Sequence, residues 1–520
     1  MSYLPRVVIE KPKRSNVDLS FVNRFSAGPG MLIPVMVKEV FAGDNISCNL
    51  NSLIFTPPTK GLLFGSFKVQ FDYFFAPFRL YNKVLHDDRV TFDPSSVYFP
   101  VMQFSQLKSH TGDDYISNGC HPTSLGHYLG IPEFFSREEA DAVVTRRFNA
   151  VPFFAYFDIF RGYYANVQED TAPQVSQVLT TGEPVLLSYS LSSIDTMKAN
   201  LFSKDSGSPY VLPVDGKQGF YETEKFHYPC GGLMCRTFLP DRFSAWMSNS
   251  NYAAVLSRSV VDVSSGSFNM DSFRFARHLN NMLLKTEIAG GRYSNWQKVQ
   301  FGTSVAPLHE VPLFLGSVSG ELNFTDVVQT APGADGSAVG SLGGRGVGGV
   351  KNRSLKFYIE EYGYLMCIVS LIPRVDYYQG VKSFYNHKTL SNIHVPAMDG
   401  IGFQDLLADE FCAQASELQG GYPVAQAIGK QPAWTECMTA VNELHGTFAM
   451  PDNTMFMTLA RRYEINPQTQ LVKNSSAYIN PVQFNYIFAD ASLDAQNFWF
   501  QCRFDVYVKR VISKKLMPTL

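Results

Sequence analysis

A chain of 520 residues can bury a large core, and a formal net charge of −2 excludes a wholesale nucleic-acid neutraliser of the histone kind. Aromatic residues make up 14% of the chain and charged residues only 17%, against about 25% in ordinary globular proteins. With 42 Phe and 26 Tyr beside so few charges, part of the exterior is left to meet other chains rather than water.

Length alone sets a prior of roughly two to four domains, although all-β chains often run longer as one unit. Basic residues gather near both ends, in EKPKRS (10 to 15) and VKRVISKKL (508 to 516). The stretch MLIPVMVKEVFAGDNISCNLNSLIF (31 to 55) predicts two strands around an Ala42-Gly43-Asp44 turn, with Ile46, Cys48 and Leu50 on one face. In FKVQFDYFFAPFRLYN (67 to 82), Phe67, Val69, Phe71, Tyr73 and Phe75 share one strand face, and Lys68, Gln70 and Asp72 the other. At Phe74 that polar face turns aromatic. Something must then cover the second face as well.

The texture changes further along. SREEADAVVTRRF (136 to 148) opens with a capping box, Ser136 and Glu139, and predicts a helix. LSSIDTMKANLFSKDSGSPYVLPVDGKQG (191 to 219) reads as a long irregular insert. DSFRFARHLNNMLLK (271 to 285) places Phe275, Leu279, Met282 and Leu283 on one helical face. The glycine-rich 331 to 354 reads as a flexible loop. LKFYIEEYGYLMCIVSLIPRVDYY (355 to 378) returns to strand patterning. DLLADEFCAQASELQGG (405 to 421), with Leu407, Phe411, Ala415 and Leu418 in register, and WTECMTAVNELHG (434 to 446) predict two more helices. In FWFQCRFDVYVKRV (498 to 511), Phe498, Phe500, Cys502, Phe504, Val506 and Val508 alternate with polar or amphipathic residues. A strand that long near the end of the chain belongs inside a sheet, so distant strands must pair in a sandwich or barrel.

Motifs for chemistry are sparse. Gly344 to Gly349 matches G-x-G-x-x-G by letter, but lies among other glycines with no helix after it, and reads as a loop. There is no Walker A, G-x-S-x-G, H-E-x-x-H or C-x-x-C. His227, Cys230 and Cys235 fit no common zinc spacing, and Pro229 to Gly232 reads as a tight turn. Cys120, His121 and His127 read as helix entry and packing. The eight cysteines lack framework spacing and read as free, mostly buried thiols made in a reducing cytoplasm. The N-terminus shows no apolar signal region, and YGYLMCIVSLIP (362 to 373) is too short to span a bilayer.

The ordered run of segments resembles the major capsid protein of the Microviridae, small icosahedral single-stranded DNA phages, closest to the gokushovirus-like and Bacteroidetes-associated branch. The resemblance rests on LIPVMVKEVFAGD (32 to 44), FDYFFAPFRLYN (71 to 82), PTSLGHYLGIP (122 to 132) and NAVPFFAYFDIFRGYY (149 to 164). LMCRTFLPDRFSAW (233 to 246), FRFARHLNNMLLKTEIAGGRY (273 to 293) and FLGSVSGELNFTDVVQT (314 to 330) follow in order. EEYGYLMCIVSLIPRVDYYQG (360 to 380) and NYIFADASLDAQNFWF (485 to 500) complete it. One region departs: relatives carry a spike-forming insertion between positions equivalent to Trp246 and Asp271, whereas the extra length here lies between Gln168 and Gly232.

The resemblance implies a mainly β chain, a single eight-stranded viral jelly roll with large loop insertions containing short helices. Its parts would be an N-terminal arm (1 to 30), an insertion region (165 to 275), the Gly-rich loop (331 to 354) and a helical insertion (400 to 450). The barrel core would hold Phe67, Val69, Phe71, Tyr73, Phe75, Phe500, Cys502, Phe504 and Val506. The function implied is a structural, non-enzymatic subunit without cofactors. It would form pentamers and then a T=1 shell around single-stranded DNA, working with small basic DNA-binding, scaffolding and pilot proteins. A host-surface receptor such as a glycan would be met from outside the virion. Lys11, Lys13, Arg14, Lys509, Arg510, Lys514 and Lys515 are the candidates for a DNA-facing surface, with subunit contacts or plain solubility as the other reading. Two rival classes remain open at this point: a jelly-roll carbohydrate-binding or glycoside-cleaving protein, and a phage receptor-binding protein.

Overall fold

The computed structural model describes residues 14–86, 98–105, 116–136, 145–165, 171–175, 186–203, 233–236, 310–328, 342–413 and 418–512, apart from short gaps inside these ranges. Ten strands form its main sheet: β1 (Ser15–Asp18), β2 (Phe21–Ala27), β3 (Ile33–Val40), β4 (Asn45–Pro58), β5 (Ser66–Pro77), β6 (Leu313–Val328), β7 (Leu342–Gly348), β8 (Arg353–Tyr358), β9 (Gly363–Pro373) and β10 (Phe498–Arg510). All neighbours are antiparallel. The order is β1-β10-β4-β7-β6-β5-β9-β3, with β2 also on β10 and β8 also on β4. β1 and β2 lie end to end along one edge of β10, and β7 and β8 do the same along β4. The ten strands therefore occupy eight lanes, which is a jelly roll.

Side-chain contacts show how the sheet curls. β5 and β10 are separated by the lanes of β4, β7 and β6, yet the rings of Phe67 and Phe498 meet at 5.0 Å. Tyr73 on β5 reaches Phe357 on β8 at 5.5 Å, and its hydroxyl lies 3.6 Å from Cys48 Sγ on β4. The sheet thus folds face onto face and buries the alternating residues of both halves. Phe67, Val69, Phe71, Tyr73, Phe75, Phe500, Cys502, Phe504 and Val506 are all buried. Alternation is complete in β10, where every second residue from Phe498 to Arg510 is buried. β9 is buried along its whole length, as a central strand covered on both faces should be.

The second face of β5 is covered from within the chain. Helix α1 (Val151–Ile159), with Pro152 in its first turn, is apolar nearly all round and buried nearly all round. It runs on into a wide π turn, Phe160–Tyr164, that drops two tyrosines onto β5. Phe74 packs on Tyr163 at 4.9 Å, Tyr164 at 6.0 Å and Phe314 at 5.5 Å. Beside it the Tyr164 hydroxyl donates to Asp72 Oδ2 at 2.6 Å, and Gln70 Nε2 donates to the same carboxylate at 2.9 Å. Arg236 sits over the Tyr164 ring at 5.3 Å, so the buried carboxylate has a cation in its surroundings. The Phe74 side of the strand is therefore an intramolecular joint.

Four local expectations are corrected. Residues 191–203 are not irregular: they form helix α2 (Leu191–Ser203), with Leu191, Ile194, Met197 and Leu201 buried at helical spacing and Lys198 Nζ 2.8 Å from Asp158 on α1. The helix expected over 136–148 is strand at both ends, because Glu133–Ser136 pairs with Ile116–Gly119 and Thr145–Asn149 with Val101–Ser105. The helix expected over 405–421 is a strand, Phe403–Leu407, paired with Ala427–Pro432 and followed by a 3-10 turn, Ala408–Glu410. Of the helix expected over 434–446 only one turn forms, Thr435–Met438. In each hairpin, cross-strand backbone pairing outweighs a helical spacing of apolar residues. The helix expected over 271–285 lies outside the described residues.

The described part of the glycine-rich segment is also different from a free loop, while residues 331–341 lie outside the described residues. Residues 342–348 are β7, paired with β6 on one side and irregularly with β4 on the other. Hydroxyls of β4 and the turn after it stitch the irregular side. Thr59 Oγ1 accepts from Gly344 N at 3.0 Å, Thr56 Oγ1 from Gly346 N at 2.8 Å, and Ser52 Oγ from Val350 N at 2.8 Å. Such close approach needs glycine. At Gly349, with φ at +148°, a Cβ would sit 2.0 Å from the Ser52 carbonyl oxygen.

Candidate assembly surface and nucleic-acid face

The sheet brings residues from four strands into rows on its outer face. Register pairs Asn16 with Lys509, Lys509 with Asn45, and Asn45 with Tyr358. Two residues along, Asp18 faces Tyr507, Tyr507 faces Ser47, and Ser47 faces Lys356. These side chains alternate with the buried Ile46, Phe357 and Val508, so they share the solvent side. Tyr358 and Tyr507 are 59% and 57% exposed. Short Asn45 and Ser47 on β4 lie between long side chains on β8 and β10, which leaves a groove of about 640 Å³.

The basic candidates fall into three groups. Lys509 stands exposed in that groove, and Arg14 is exposed one residue before β1. Arg510 points the other way. Its Nη2 donates to Asp44 Oδ2 at 2.7 Å and to the Glu39 carbonyl at 3.3 Å, and its guanidinium covers the Phe41 ring at 4.3 Å. That charge is buried in the turn between β3 and β4 and faces no solvent. Lys11, Lys13, Lys514 and Lys515 lie outside the described residues. Lys356, Tyr358 and Tyr507 went unselected in the sequence. Their exposed strand positions were readable, but only the β8-β4-β10 register places them together.

A second set of exposed side chains is apolar. Leu390 is 83% exposed, Tyr385 70% and Met438 67%, with Phe384, Ile393, Val395 and Met398 also in solvent. The segment is held in place rather than merely tethered. Trp434 Nε1 donates to the Met398 carbonyl at 3.3 Å, its ring meets His394 at 5.1 Å, and its backbone N–H donates to Gln404 Oε1 at 2.9 Å. Trp434 adopts a left-handed backbone with φ at 63°, a conformation a bulky residue holds only when its neighbours fix it.

Thiols and carboxylates behave as packing groups. Cys48, Cys367, Cys412 and Cys502 are buried free thiols, Cys235 is buried as well, and Cys437 is exposed and free. Burial pushes the Cys48 thiol up to about 11 and raises the Cys367 and Cys502 thiols as well. Cys120 and Cys230 lie outside the described residues. His127 sits in the one-turn helix Leu125–Tyr128, capped by Ser124. Among the described residues no three His, Cys, Asp or Glu side chains gather into a metal-binding group, and no helix is long and apolar enough to cross a membrane.

A single jelly roll with few charges and large apolar side chains fixed in solvent on its loops is the architecture of a shell-forming coat subunit. A family model described as "Capsid protein (F protein)" matches residues 6–520. The chain belongs to that family: it is a structural major capsid protein of a small single-stranded DNA phage of the Microviridae. A search of curated proteins finds no match.

Proposed function

We propose that this subunit associates through its loop surfaces into pentamers, and that twelve pentamers close a T=1 shell around a single-stranded DNA genome. The observation that carries this reading is the exposure of large apolar side chains on the loops, Tyr385, Leu390 and Met438 standing 67–83% open to solvent. Burying a large apolar side chain contributes roughly 1.5–3 kcal/mol, so a few such contacts per interface, repeated by symmetry, hold a shell without strong charge pairs. The subunit acts as architecture and carries out no reaction. Its place is the virion, after synthesis in the bacterial cytoplasm.

The formal charge of −2 leaves most of the packaged phosphate to other cations. Small basic DNA-binding proteins of the phage fit that role, while scaffolding and pilot proteins would guide closure and genome delivery. Outer loops meet the host receptor, a glycan being one such ligand. Sedimentation velocity with negative-stain microscopy on the recombinant chain, alone and co-expressed with its neighbouring phage genes, tests the reading. Rings or closed shells are expected; a monomer under both conditions would sink it.

A further inference from the structure

We infer that the groove between β8 and β10 seats an unpaired nucleotide of single-stranded nucleic acid, with bases stacking on Tyr358 and Tyr507 and phosphates held by Lys356 and Lys509. This deepens the proposed function, since it rests on the chain enclosing a single-stranded genome.

The argument is the arrangement of corners. β8 carries Lys356 then Tyr358, and β10 carries Tyr507 then Lys509. Both strands run antiparallel to β4, hence parallel to each other, about 10 Å apart across it. Register puts Tyr358 in the row of Lys509 and Lys356 in the row of Tyr507, so each ring has an ammonium across the groove. A strand crossing here meets an aromatic face and a cation at both walls. The floor is polar: Asn45 and Ser47 of β4 offer amide and hydroxyl groups to base edges and sugar, and Asn16 of β1 flanks Lys509 on the far side of β10.

Alternatives fit less well. The volume of about 640 Å³ is that of a small-ligand cleft, and one lane of sheet is too narrow for a duplex. A neutral glycan would need no facing lysines. Of the neighbouring carboxylates, Asp18 accepts from the Ser20 N–H at 2.9 Å and Asp505 pairs with Arg503 at 2.8 Å. Arg14, exposed, precedes Ser15, which is opposite Arg510 and next to the Asn16–Lys509 pair.

Fluorescence anisotropy of a labelled short oligothymidylate with the full-length chain, across a salt series, tests the inference. Tyr358→Ala and Tyr507→Ala should each weaken binding roughly 5- to 100-fold, while the Phe variants retain it. Lys356→Gln and Lys509→Gln should each lower the salt slope by about 0.7. Absent binding by the parent chain, or binding unchanged in both Tyr→Ala variants, would overturn the inference. So would salt-independent capture of a neutral oligosaccharide that the same variants abolish. Shell formation, followed by sedimentation on every variant, keeps the two readings apart: shells that form without oligothymidylate binding leave the capsid reading standing and remove the groove.

Discussion

Arg510 and Asp44 form a buried ion pair at 2.7 Å that ties the end of the last strand to the turn between the third and fourth. Its neighbour Lys509, one residue back and on the opposite face, stands in solvent. Removing one partner of a buried pair strands the other charge, which costs roughly 3–5 kcal/mol. Arg510→Ala should therefore lower stability by that order, whereas Lys509→Gln should change it by less than about 0.5 kcal/mol. Urea denaturation of both variants checks the contrast.

Phe74 supplies a second test of how the chain covers itself. Its ring is buried among Tyr163, Tyr164 and Phe314 of the same subunit. Phe74→Ala should destabilise the isolated subunit by roughly 3–5 kcal/mol. An equal loss in monomer and shell is the expected result; a loss confined to the shell would assign the ring to a neighbour.

How much of this was legible in the sequence depends on which forces acted locally. The strands around Phe71 and Cys502 were readable because strict alternation reports one buried face directly. The role of Phe74 was readable only as a question, since its cover comes from Tyr163 and Tyr164, a stretch with no periodic signal of its own. Residues 342–348 misled because glycine has no side chain to pattern. Its use there is the space it leaves for the hydroxyls of Thr56 and Thr59. Helix α2 did carry a signal, in Leu191, Ile194, Met197 and Leu201, which the serine-rich context obscured. Arg510 looked like one more basic residue of a tail because its partner Asp44 is distant in sequence.

Thiol chemistry should sort the cysteines. Cys48, Cys235, Cys367, Cys412 and Cys502 are buried, and the shifts of Cys48, Cys367 and Cys502 keep those thiols protonated at neutral pH. Brief iodoacetamide treatment of the native protein followed by peptide mass spectrometry should label Cys437 and spare those five until denaturant is added.

Asp376 should make stability depend on pH. Partial burial holds its carboxyl up to about 6, against an ordinary 3.8. The native state then binds this proton more tightly than the unfolded chain, so between about pH 4 and 6 its contribution to stability falls as pH rises. Asp376→Asn removes that slope and should stabilise the protein at pH 7 by about 1–2 kcal/mol, allowing for partial exposure. Melting curves of parent and variant at several pH values would show converging stabilities under acid conditions.

Assembly should fail at the apolar loop surface without loss of the fold. Leu390→Lys places a charge where the side chain is 83% exposed, so the subunit should melt as the parent does. If that surface is an interface, sedimentation should show rings and shells replaced by small species.

The position of β10 also governs when the molecule can fold. β10 lies between β4 and the lane of β1 and β2, pairing with both along nearly its full length. At usual translation rates the ribosome needs on the order of half a minute to a minute to get from Pro58 to Phe498. Throughout that interval one edge of β4 and the whole first lane lack their β10 partner, so the sheet cannot close until β10 has been made. A nascent chain with such open, aromatic-rich edges is a natural client for chaperones, and its yield should respond to their supply more than to codon choice near its start.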